Sequence, residues 1–149
     1  MFDNIVKVAW PENEERNMIL LEDISFIDKS GKKWTAYKGE SINGASIPSI
    51  FWSIFGSPYI GKYRRPSVIH DVYCGRKTES YVDVHKVFNE MLEYDGVKYS
   101  LRIKMFKAVW YFGPKWDIIG GLMTAVPPIP SNDICALENF LNDLPCPSY

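Results

Sequence analysis

The apolar residues of this chain change their period near residue 48, and that switch limits the folds open to it. Before it, apolar and polar residues alternate or run in short β-rich stretches. Ile5 to Trp10 alternates, Met18 to Ile27 is a longer apolar run, and Lys33 to Tyr37 is a third. Asp28-Lys-Ser-Gly31 between the last two supplies turn chemistry, so they read as a hairpin. After residue 48 the spacing is helical. Pro48 suits a first helical position, followed by a stripe of Ile50, Phe51, Ile54 and Phe55. Pro66 opens a second helix with Ile69, Val72 and Tyr73 inward, and Gly75 is expected to stop it. Ser80-x-x-Asp83 caps a third, whose apolar face is Val84, Val87, Phe88, Met91 and Leu92. A fourth runs from Leu101 to Phe112 and closes at Gly113-Pro114. Strands followed by helices predict an α+β fold: N-terminal antiparallel strands, then a layer of three to four helices containing an antiparallel pair.

Residues 1–116 are read as one domain. Residues 117–149 form an acidic arm in which Pro127 to Pro130 act as a linker and a short helix turns Ile134, Leu137 and Leu141 inward. The longest apolar run, Ile118 to Val126, is about half of the ~20 residues a bilayer needs. The Met-Phe-Asp-Asn start lacks the basic-then-apolar pattern of a secretory signal, so the expected location is a bacterial cytoplasm or a virion. Charge is unevenly spread: residues 1–61 carry −2, residues 62–116 carry +5 and residues 117–149 carry −4. The basic middle and acidic tail can pair with each other, or the middle can face an anionic partner such as a membrane surface or an acidic protein. A pI near 6.1 argues against a dedicated nucleic-acid binder. Cys74, Cys135 and Cys146 are too few and too scattered for a disulfide framework.

Chemistry concentrates around the two histidines, His70 and His85. Helical rise places His70 and Asp83 nearly level across a short loop, so an imidazole–carboxylate bond between the paired helices is expected. Such a bond fixes the tautomer of His70 and raises its basicity toward water. Asp71 beside it is expected to hold a divalent cation, calcium foremost, and Tyr73 to orient the dyad. His85 reads as a solvated helix residue. His70 and Cys74 have the i, i+4 spacing of a metal pair, but no further Cys or His is expected to complete a zinc site. Asn43, Gly44 and Ser46 form a second candidate, a loop whose N–H groups could hold an anion. Ser46 is expected to cap the following helix. No Gly-x-Ser-x-Gly elbow surrounds it, which argues against a nucleophile. Trp110, Tyr111, Phe112 and Trp116 read as core, with an interfacial patch as the alternative.

Gly44-Ala45-Ser46-Ile47-Pro48, Phe51-Trp52, His70-Asp71, and Asp83 with Phe88 and Met91 resemble a small family of phage and prophage proteins of unknown function. The same His-Asp pair also resembles phospholipase A2-type domains. That resemblance implies His70 as general base, Asp71 as calcium ligand and Asp83 as the orienting carboxylate. Tyr73 falls one position early for that pattern, and no Gly-x-Gly calcium loop precedes His70. Together these readings predict a metal-assisted hydrolase of an ester or phosphoester. The alternative is a non-enzymatic phage protein that binds a host or virion partner.

Overall fold

The computed structural model describes residues 1–13, 17–44, 46–57, 60–116, 123–124 and 133–148. The fold is α+β, with short antiparallel strands preceding the helices. Strands β1 (Val8–Ala9), β2 (Met18–Leu20) and β5 (Ser41–Ile42) form one sheet in the order β1-β2-β5. Strands β3 (Ile24–Ile27) and β4 (Lys33–Ala36) form a separate hairpin, with Phe26 opposite Trp34. The expected single run from Met18 to Ile27 is therefore two strands. A bend at Leu21-Glu22 divides it, and the Asp23 carboxylate just after it accepts the Lys38 N–H at 2.7 Å. The hairpin turn forms as its residues predict. Asp28 Oδ1 accepts the backbone N–H groups of Ser30 and Lys32, each at 2.9 Å, while Oδ2 takes the Trp34 indole N–H. Gly31 supplies the positive φ of +87°.

A 3-10 turn (Ser49–Phe51) leads into the short helix α1 (Trp52–Phe55). Helices α2 (Arg64–Arg76), α3 (Tyr81–Tyr94) and α4 (Tyr99–Phe112) follow. Helix α2 does not stop at Gly75. It continues one residue further and ends on Lys77 in the left-handed conformation, φ +57°. Helix α3 begins at the expected cap, where Ser80 Oγ accepts the Asp83 N–H at 3.0 Å. All five predicted apolar positions of α3 are buried. Their stripe packs on α2, and α2 in turn covers the hairpin.

Beyond α4, β6 (Lys115–Trp116) pairs with β7 (Met123–Thr124). Most of the Ile118–Val126 run and the Pro127–Pro130 linker lie outside the described residues. Helix α5 (Ile134–Asp143) sets Leu137 and Leu141 into the same core as the other helices, while Ile134, expected inward, is 44% exposed. The Asp133 cap places Ile134 in the first turn, ahead of the contact face. Lys104 pairs with Glu138, Lys107 Nζ donates to the Asn142 carbonyl, and Tyr111 donates its hydroxyl to the Pro145 carbonyl. Among the described residues, no helix is long and apolar enough to cross a membrane.

Candidate functional site: a buried imidazole pair tied to a serine loop

Helix α2 passes His70 and Cys74 down one face, at i and i+4. His70 is fully buried, with Phe88 of α3 lying 4.6 Å from its ring centre. Its partner across the helix pair is not Asp83. His70 Nε2 lies 2.9 Å from His85 Nδ1, and His85 is as completely buried as His70. Two facts explain the change. The α2 helix extends past its expected stop, and each added residue moves the matching level along α3 by about 1.5 Å. Asp83 and His85 also sit about 200° apart around α3, so only one of them can face α2. Asp83 faces outward and serves the helix cap, accepting the Ser80 hydroxyl at 2.8 Å. His85, expected in solvent, instead sits among the rings of Tyr81, Trp110 and Trp116.

The other ring nitrogens are also engaged. His85 Nε2 lies 3.1 Å from the Pro114 carbonyl, and His70 Nδ1 lies 3.1 Å from Ser46 Oγ. A carbonyl can only accept, so this contact fixes every proton in the row. His85 donates from Nε2 to Pro114, leaving Nδ1 to accept from His70 Nε2–H. His70 Nδ1 is left as an acceptor, and the Ser46 hydroxyl donates to it. Both rings are neutral at ordinary pH. Burial and the neighbouring His85 hold His70 well below the usual imidazole range. Burial lowers His85 to about 4. Cys74 Sγ lies 3.7 Å from His70 Nε2, and burial pushes its thiol well above the usual cysteine range.

Asp71 faces the other way. Its Oδ2 accepts the backbone N–H groups of Asn43 at 2.8 Å and Gly44 at 3.2 Å, and its Oδ1 accepts that of Ser46 at 3.3 Å. The loop does hold an anion, as its geometry suggests, but the anion is the chain's own Asp71. Gly44 provides the positive φ of +71° that turns these groups inward. The carboxylate expected to bind a cation is thereby committed to backbone. Ser46, expected to cap the next helix, turns to His70 instead, and the 3-10 turn after Pro48 has no side-chain cap. Tyr73 belongs to neither group: its hydroxyl accepts the Thr35 N–H at 3.0 Å and its ring packs on Trp34. In the aromatic group, Phe112 and Trp116 are core, and the Trp116 indole donates to the Glu79 carbonyl at 2.7 Å.

His85 is the functional candidate that sequence reasoning placed in solvent. Its i, i+3 spacing to Phe88 already put it on the apolar stripe.

Residues 18–109 match the family model described as Protein of unknown function (DUF1353). The chain belongs to the DUF1353 family. The matched span contains Ser46, His70, Cys74 and His85, and ends before Pro114. Two relatives are uncharacterized proteins of Sinorhizobium fredii. One, y4jT, is 40% identical over 99 residues, covering 66% of this chain and 30% of the relative. The other, y4iH, is 35% identical over 101 residues, covering 68% of this chain and 42% of the relative. The chain aligns with less than half the length of each of these relatives. No solved structure matches the chain.

Proposed function

We propose that this DUF1353 protein is a phage-type hydrolase of carboxylic or related esters, with Ser46 as nucleophile and His70 as its base. The observation that carries the reading is the 3.1 Å approach of Ser46 Oγ to His70 Nδ1. The proton order set from Pro114 through His85 keeps that nitrogen an acceptor. This is the logic of an activated serine: a nucleophile, a base within hydrogen-bond reach, and a third group orienting the base. It retains the expected hydrolase and replaces a metal-polarised water with a hydroxyl. Attack would join Ser46 Oγ to the ester carbonyl carbon while its proton passes to His70 Nδ1. The alcohol leaves with that proton, and water then releases the acid and restores Ser46. A cleft of about 360 Å³ is lined by Gly44 and Ile47, on either side of Ser46, and by Pro48 and Trp52. An ester held there would lie against the loop that carries Ser46, itself 5% exposed.

A fluorophosphonate probe and a short-chain p-nitrophenyl ester test the reading on the full chain. Ser46 should be labelled, and Ser46→Ala should lower turnover by at least ~100-fold, the usual worth of a base-assisted step. His85→Gln should lower it less while circular dichroism stays native. Full turnover in Ser46→Ala, or labelling elsewhere only, overturns the assignment.

A second reading, a non-enzymatic module that docks on a host or virion protein, is supported by a different feature. Val6, Val8, Met18, Ile42 and Val68 line an apolar furrow beside Trp10, which is 60% exposed. If docking alone is the function, Trp10→Ala should abolish partner capture and Ser46→Ala should leave it intact.

A further inference from the structure

The tie between the two imidazoles has a second use that does not depend on hydrolysis. We propose that His70 Nε2, His85 Nδ1 and Cys74 Sγ form a binding site for one zinc-class divalent cation. These donor atoms lie within 4.8 Å of one another. The expectation that nothing would complete the His70–Cys74 pair fails because His85 is buried beside it.

Three observations support the site. The first is spacing. Tetrahedral zinc, with bonds of about 2.0–2.1 Å to nitrogen and about 2.3 Å to sulfur, holds its donors roughly 3.3–3.7 Å apart. Here the two nitrogens are 2.9 Å apart and the sulfur is 3.7 Å from His70 Nε2. To admit the ion the rings open by a few tenths of an ångström and Cys74 Sγ, within 4.8 Å of the other donors, closes toward His85. The second is the outer contacts. A ligating imidazole almost always donates its remote N–H to an oxygen that fixes the ring. His85 Nε2 has the Pro114 carbonyl for this purpose, and His70 Nδ1 has Ser46 Oγ. The third is donor softness: two imidazoles and a thiolate favour zinc over calcium or magnesium. The hard cation expected at Asp71 would have found carboxylate oxygens already taken by backbone.

The cation takes the place of the proton now shared between the rings, and the Cys74 thiol releases its own proton to solvent as its sulfur binds. With Nε2 of His70 on the metal, the ring proton moves to Nδ1, and the Ser46 hydroxyl changes from donor to acceptor. The serine then has no base. Metal occupancy would silence the nucleophile, a consequence that, unlike the site itself, rests on the hydrolase reading.

The test uses the full chain carrying Cys135→Ser and Cys146→Ser, so that Cys74 is its only thiol. Cobalt(II), the probe for zinc, should bind one per chain with a thiolate-to-metal charge-transfer band. Cys74→Ala should remove that band, and His85→Gln should weaken cobalt binding at least tenfold with circular dichroism unchanged. Zinc should raise the melting temperature of the parent and not that of Cys74→Ala. No charge-transfer band in the parent, or one that persists in Cys74→Ala, overturns the site. Fluorophosphonate labelling of Ser46, run with EDTA and with zinc, separates the two proposals. Labelling in EDTA with no cobalt band leaves the hydrolase and removes the metal. A cobalt band with no labelling in EDTA leaves the metal and removes the hydrolase. A cobalt band with labelling equally fast in zinc and EDTA removes the switch.

Discussion

His70 and Asp71 are adjacent on α2, yet they build two different regions. Asp71 reaches outward and collects three loop N–H groups with a charged, half-exposed carboxylate. His70 reaches inward, where two neutral, buried rings link Ser46 to the Pro114 carbonyl. The loop region is held by charge against backbone dipoles. The interface region is held by hydrogen bonds between uncharged rings inside an aromatic and aliphatic wall. The loop should fail when its carboxylate is removed; the interface should weaken when acid charges its rings.

The largest expected effect is at the loop. Asp71→Ala strands three donors at once and should cost about 3–4 kcal/mol, read from urea unfolding at pH 7.5. If the loss is below about 1 kcal/mol, the loop has another anchor and the contrast dissolves.

Acid should strike the interface next. An unfolded histidine takes up its proton near pH 6.5, whereas His85 in the fold does so only at about 4. Between those values the unfolded chain binds more protons, so stability falls as pH drops from about 6.5 to 4. For His85 the loss is about 3 kcal/mol across that window, and His70 adds to it in the same direction. Unfolding measured in EDTA across this range checks it. A flat profile would mean the rings are charged or exposed.

Gly113→Ala probes the interface from its far end. A Cβ there would fall 2.3 Å from the Val109 carbonyl oxygen, so the backbone leading to Pro114 must move. A loss of about 2 kcal/mol is expected, as for an overpacked site, with a shifted His85 ring signal by NMR. Ser80→Ala removes only the α3 cap and should cost about 1 kcal/mol while leaving both histidine signals in place. A His70 signal that moves in Ser80→Ala would show that Asp83 is coupled to the site after all.

Much of the fold could be read from spacing. The β-to-α switch, the Asp28 turn, the Ser80 cap and the apolar stripe of α3 each depend on local chemistry that a short window contains. The site was legible only in part. The His-Asp pair and the Ser46 loop stood out by residue type, yet their partners were exchanged. Asp71 went to the loop and His85 took the position expected of Asp83. Those exchanges depend on where α2 ends and which side of α3 turns inward. A left-handed Lys77 in place of a glycine stop left no mark in the sequence. The spacing from His85 to Phe88 did, and it outweighed the usual preference of histidine for water.

The Pro114 carbonyl sits at the exit of α4, two residues before the chain leaves for β7. An ångström of drift there would carry it out of reach of His85, now 3.1 Å away. The exit of α4 is thus geared to the buried rings, and a tug on the polypeptide beyond residue 114 would be felt at Ser46 as a change in which atom holds the hydrogen.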